Sequence, residues 1–224
     1  MLPTFTCRHQ ESAPLQFLRR CFYMSYCNYK NARDAAWKTL IECGISSLPV
    51  RPSEICRHYN WVLADYIDGK RSIELLGLSE LKEKTDGFCA VTENHVYIFY
   101  DSSLTVGRQR FTVAHEIGHL ILGHVGPGTA TVENREPTGA EREEETQANQ
   151  FAARLLAPAC VLHEIGATEP EEIQKMCGIS KQAAKIRAER MQELERRGRY
   201  YTSKLECRVV RQFESYIAIM RRRR

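Results

Sequence analysis

The sequence has no apolar run long enough to span a membrane, no C-x-x-C pair, no internal repeat and no low-complexity tract. Its opening stretch, "MLPTFTCRHQESAPLQFLRRCFYM", lacks the continuous apolar segment that an export signal needs. These absences argue against a helical membrane protein, a solenoid and a paired-thiol metal or redox site. The nine cysteines (7, 21, 27, 43, 56, 89, 160, 177 and 207) are scattered singly and odd in number. That pattern fits a reducing cytoplasm better than a disulfide framework, with most thiols acting as small buried apolar side chains. What is present is 224 residues at 43% hydrophobic and 27% charged, enough for one good core and a smaller appendage.

The net charge of +4 hides an asymmetry. From Lys175 to Arg224 there are fifteen Lys/Arg and five Glu, which leaves the preceding residues at −6. A basic C-terminal fifth suits a phosphate-facing surface or an acidic partner. Within it, "EEIQKMCGISKQAAKIRAERMQEL" has a helix–turn–helix cadence, with Gly178 in the turn and Ser180 opening the longer helix. Lys181, Lys185 and Arg187 could face phosphate there, as weak DNA contact, although partner-protein recognition or simple packing explains the same pattern. The terminal Arg221–Arg224 run is expected to be a solvated tail, and the residues after Arg199 carry no assigned element.

Further upstream, Ala32, Ala36, Leu40 and Cys43 recur at helical spacing before Gly44. Pro49 and Pro52 mark an extended turn, with Ser53 as the expected N-cap of the next helix. "FCAVTENHVYIFY" reads as a β-hairpin turning at Thr92–Asn94. The stretch from Gly123 to Gly139 is broken by glycines and prolines, and a helix resumes near Glu141 and ends before Pro158.

The chemistry concentrates in "RFTVAHEIGHLILGH", residues 110–124. His115 and His119 are four apart, so on a helix they project from one face, one turn apart. That spacing lets both imidazoles reach one tetrahedral ion at about 2.0–2.1 Å. Glu116 is displaced around the helix, placed to accept a proton from water rather than to ligate, which is the logic of the H-E-x-x-H zinc peptidase motif. The surrounding Val113, Ala114, Ile117, Leu120 and Ile121 predict a buried helix, in which unpaired histidines would be costly. A third ligand is required. The H-E-x-x-H-x-x-G-x-x-H pattern fails, because Leu122 and Val125 stand where its glycine and histidine would be. His124, five residues past His119, would point about 140° away on a continuing helix and is poorly aimed as a ligand. It reads as a supporting or capping residue, with an ordinary surface role explaining it equally well. A glutamate from the next helix is the other solution, and Glu141, Glu144 and Glu145 all fall on or near its apolar stripe. Periodicity does not choose among them.

"RFTVAHEIGHLILGH" followed by "EETQANQFAARLLAP" resembles the ImmA/IrrE family of zinc metallopeptidases, and "ARDAAWKTLIECGISSLPVRPSEIC" is similar to that family's opening helices. The resemblance covers about residues 28 to 160. It implies Zn2+, one per chain, with His115, His119 and Glu145 as ligands, Glu116 as the catalytic base and Asn149 supporting the packing or hydrogen bonding one turn on. Thr146–Gln147 stand where the family often has a second acid, and Ala157 where it often has Met. The implied fold is α+β: a small, partly antiparallel sheet packed on two metal-bearing helices, with a helical, helix–turn–helix-like C-terminal appendage. The strand "HVYIFY" is expected beside the cleft, with an exposed edge for an extended peptide.

The expected organisation is a leader at 1–23 outside the core, a zinc peptidase domain at 24–160 and a basic helical region at 161–224. The expected function is a cytoplasmic zinc endopeptidase whose substrate is a specific regulatory protein, a helix–turn–helix repressor controlling stress-response or mobile-element genes. The competing classes are a DNA-binding regulator with a structural metal and an antitoxin-like binding partner. Sequence-specific DNA binding with a steep salt dependence would mark the first of these. Met24 is a candidate natural start. The intact mass of the native product is expected to begin there, and retention of Met1 contradicts it.

Overall fold

The computed structural model describes residues 29–131 and 139–223. The expected leader, Met24 and part of the loop before Gly139 lie outside the described residues. Among the described residues the chain forms three strands and eleven helices in an α+β arrangement.

Helix α1, Tyr29–Glu42, buries Ala32, Ala36 and Leu40 completely, as their four-residue spacing dictates. It stops at Gly44, whose positive φ of 65° lets Ile45 N–H reach back to Leu40 O at 3.0 Å. Helix α2, Pro52–His58, starts two residues earlier than expected: Pro52 takes the first helical position and Arg51 the cap. Ser53 is therefore inside the helix rather than capping it, because proline's fixed φ is already helical and its missing N–H costs nothing there.

Strand β1, Val62–Asp65, is followed by the short helices α3, Lys70–Leu75, and α4, Ser79–Lys82. The predicted hairpin is β2, Gly87–Val91, and β3, Val96–Tyr100. The strand order is β1-β3-β2, with β1 parallel and β2 antiparallel to β3. "HVYIFY" is thus the central strand and offers no free edge, which corrects the expected docking role. Strand β1, four residues with no fully buried position, is what occupies its other side. The outer edge of β2 is the one near the cleft. Residues 128–131 pair onto part of it, through Gly128 N–H to Val91 O, Val91 N–H to Thr129 O and Thr131 N–H to Cys89 O. Both faces of the sheet are covered, which explains its nearly continuous apolar sequence. Val96 and Ile98 join the main core, while Phe88 and Phe99 form a second cluster with Tyr66 and Ile73.

Helix α5, Val106–Leu122, lies across β2 and β3 and packs most extensively on α6, Gly139–Leu156, which in turn packs on α1. Gly118 makes the α5–α6 approach close: a Cβ there would sit 3.1 Å from Phe151 Cδ1 and 3.2 Å from Ala148 Cα. Phe151 is fully buried in that contact, contributing about 1.5–3 kcal/mol. Gly87 serves the sheet similarly, since a Cβ would lie 2.8 Å from Phe99 O and against Thr112 of α5.

The remaining helices are α7, Ala159–Ile165, α8, Pro170–Cys177, α9, Lys181–Arg196, α10, Lys204–Gln212, and α11, Glu214–Arg222. The α8–α9 pair has the expected cadence: Gly178 has φ 61° and Ser180 Oγ accepts from Ala183 N at 3.2 Å. One apolar cluster runs from Ala32 to Ile217. Gln212 Nε2 ties α10 to the end of α1 by donating to Leu40 O at 2.7 Å and Ile45 O at 2.6 Å. Two expectations for the basic end are corrected. Arg187 is buried and donates to the backbone carbonyl of Ala153 rather than facing phosphate. Arg221 is part of α11, not a free tail, and binds the Glu164 carboxylate at 2.5 Å. The buried guanidinium of Arg187 needs its carbonyl acceptor to offset desolvation.

Replacing Gly118 with valine is expected to lower stability by about 1–3 kcal/mol through overpacking against α6. Chemical denaturation measures this, and a midpoint equal to wild type would show that the helices can part without cost.

Candidate metal centre

The α5–α6 contact brings together side chains 30 residues apart in sequence. His115 Nε2 and His119 Nε2 lie 3.0 Å apart, and the Glu145 carboxylate meets them at 3.2 Å and 3.1 Å through Oε2 and Oε1 respectively. A tetrahedral ion bound at about 2.0–2.1 Å would hold its donor atoms about 3.3 Å apart. The three donors therefore already sit close to ligating separations. Their chemistry, two imidazole nitrogens and one carboxylate, suits a divalent zinc-type cation. Helix α6 carries the other two carboxylates on its apolar stripe, yet Glu141 and Glu144 are not in this group. The approach of the two helices makes the choice that periodicity could not.

The electrostatics agree. Hydrogen bonds to His115 and then His119 hold the Glu145 carboxyl well below the ordinary carboxylate range. For His115, burial opposes protonation but is outweighed by Glu145 and the Glu116 charge, so its pKa rises.

A sequence model described as the IrrE N-terminal-like peptidase domain matches residues 70–189. The chain belongs to this family. No curated protein matches the chain. The family match begins at α3 and runs into α9, later at both ends than the sequence resemblance placed it. Peptidases of this family are metal-dependent, and the His115–His119–Glu145 group is where this member could hold a metal.

Around the three donors, the structure of this IrrE-like peptidase fixes a tautomer. The Glu143 carboxylate can only accept, so Gln147 Nε2 donates to it at 3.3 Å. Gln147 Oε1 then faces His124 Nε2 at 3.3 Å, which places the proton on that nitrogen. Burial first, and His119 second, push the His124 pKa down to about 4, keeping the ring neutral and its Nδ1 bare. His119 Nδ1, 3.1 Å away, must supply the proton of that contact. With the proton on Nδ1, His119 Nε2 would be free to ligate an ion held together with His115 and Glu145. Helix α5 ends at Gly123, with φ 78°, and His124 N–H turns back to His119 O at 2.9 Å. That turn, not a continuing helix, sets the direction of His124, so the 140° projection does not apply.

Glu116 is buried, and its Oε2 accepts from Thr131 Oγ1 at 3.0 Å. Thr131 Oγ1 also accepts from Cys89 N–H at 2.9 Å, so the hydroxyl links the glutamate to β2. Both residues line a cavity of about 330 Å³ with His115, His119, Glu145 and Asn149. Asn149 is exposed at the rim of this cavity, and its side chain hydrogen-bonds His115, the kind of support expected of it. Thr131, Gln147 and Glu143 had no motif to mark them. The one available signal for Gln147 was its departure from the acid that often stands there.

Removing the tautomer chain tests it. Gln147→Met is expected to weaken metal affinity about 10–100-fold, as loss of a ligand's hydrogen-bond support commonly does. Competition against a chromogenic chelator measures this; equal affinity would mean that the His124–Gln147 contact does not orient His119.

Proposed function

We propose that the chain is a cytoplasmic, zinc-dependent endopeptidase that cuts a regulatory protein. The observation that carries this is the convergence of His115, His119 and Glu145 in the cavity that Glu116 lines. His115 and His119 Nε2 and the Glu145 carboxylate would hold the Zn2+. Bound zinc supplies Lewis acidity and lowers the pKa of a water to about 7.

Glu116 is the base. With Oε2 held by the Thr131 hydroxyl, Oε1 takes the proton of the attacking water and returns it to the leaving amine nitrogen. The low exposure of Glu116, 5%, limits competing solvent at that carboxylate. The β2 edge at Gly87 lines the same cavity and offers main-chain hydrogen bonds to an extended substrate strand. The buried Cys89 thiol beside Glu116 is held protonated by burial and by that neighbouring charge, so it does not compete as a nucleophile.

A helix–turn–helix repressor of stress-response or mobile-element genes is the substrate class supported by the resemblance to ImmA/IrrE proteins. Exposed Lys181 and Lys185 at the start of α9 leave room for weak DNA contact beside it. Six cysteines are free among the described residues, as a reducing compartment favours. No helix among the described residues is long and apolar enough to cross a membrane.

Glu116→Gln is expected to lower cleavage of the repressor substrate about 10²–10⁴-fold while metal content is unchanged. Cleavage assays with the full chain check this. Survival of repressor inactivation in the Glu116→Gln strain would contradict it.

A further inference from the structure

Beside the metal centre a cavity of about 550 Å³ opens between α5, α6 and α9. Its size is that of a ligand pocket rather than a packing defect. Arg108, Phe111 and Asn149 line it and line the metal-site cavity as well, so the two adjoin. Phe111 forms the sill between them, its ring centroid 6.3 Å from that of His115.

The lining is apolar. Ala153, Ile179 and Ala183 contribute to it, and Ile186 stands 58% exposed at its side, an unusual position for a large aliphatic residue. Arg108, Arg154, Arg187 and Arg190 supply the charged groups of the wall, Arg108 paired with Asp86 and Arg187 with the Ala153 carbonyl, and no acidic side chain lines it. Gln150 Oε1, also in the wall, is buried with no hydrogen-bond partner among the described residues. An acceptor in that state is costly unless a donor arrives from outside.

We infer that this cavity is the specificity pocket of the peptidase: it receives apolar side chains from one flank of the scissile bond, in a substrate segment that also carries acidic residues. The inference rests on the proposed hydrolysis. Its position beside the metal site makes the occupant the polypeptide being cut. The apolar floor selects its side chains, the Gln150 carbonyl accepts a main-chain N–H from it, and the cationic wall favours neighbouring Asp or Glu. The region sequence marked as basic thereby forms one wall of the substrate site through α9.

The test uses the zinc-loaded full chain and a tryptic peptide library from a bacterial proteome, with cleavage positions read by mass spectrometry. Wild type is expected to cut sites that share an apolar residue at one fixed position on one flank, with acidic residues nearby. Ile186→Glu, at an exposed position, is expected to reduce that apolar preference about tenfold or more, with thermal melting and zinc content unchanged. The most-cleaved peptide, fluorescently labelled, is expected to bind Glu116→Gln protein and to lose about tenfold in affinity when Ile186→Glu is added. Cleavage sites without a shared apolar position, or a preference and affinity untouched by Ile186→Glu, overturn the pocket assignment. Absence of any cleavage by wild type overturns the hydrolase assignment itself, and the pocket's role with it.

Discussion

The close approach of α5 and α6 at Gly118 is the constraint on which the site depends. His119 is the next residue, His115 lies one turn before it, and Glu145 lies one turn before Ala148, the residue that Gly118 meets. A side chain at position 118 would separate the helices by a few tenths of an ångström or more, and the three donors sit only 3.0–3.2 Å apart. Ligation tolerates little of that. Packing and chemistry therefore share one contact: the surface that buries Phe151 is also what sets the spacing of the ligands.

The sheet contributes the other half of the site. Strand β2 orders Thr131 by main-chain pairing, and Thr131 orders Glu116, so the proposed base is held by an element different from the one carrying the proposed ligands. Its neighbours bring the cleft its walls: Gly87 on the strand side, α9 on the other. Arg110 links these layers. It donates to Cys177 O at 3.2 Å and to Val50 O, meeting a carbonyl at the end of α8 that the helix itself leaves without a partner. The basic C-terminal helices are thus fastened to the catalytic layer by internal hydrogen bonds, and some of their charge does structural rather than binding work.

How much of this could be read from residues alone depended on distance along the chain. His115, Glu116 and His119 were legible because one helical turn brings them together. Glu145 was ambiguous from periodicity, since three carboxylates share its stripe; the family resemblance selected it, and the structure puts it beside the histidines. Strand order was not legible, because β1 is four residues long and only half-buried, too short to announce that β3 is central. Thr131 was hidden in a loop whose partner, Cys89, is 42 residues away. The last two helices were missed although a signal existed: Leu205, Val209, Phe213 and Ile217 recur every four residues and face the core. Dense Arg and Glu between them masked that stripe. Gly123 likewise carried the information that redirects His124, as a helix stop followed by a turn back.

The central claim is that two imidazoles from α5 and one carboxylate from α6 hold a single divalent ion. X-ray absorption spectroscopy at the zinc edge, on full-length protein purified without chelators and with metal content quantified in parallel, tests it most directly. The account predicts one zinc per chain, with two histidine nitrogens and oxygen ligands at about 2.0–2.1 Å. Sub-stoichiometric metal, or a sulfur shell at about 2.3 Å, would contradict it.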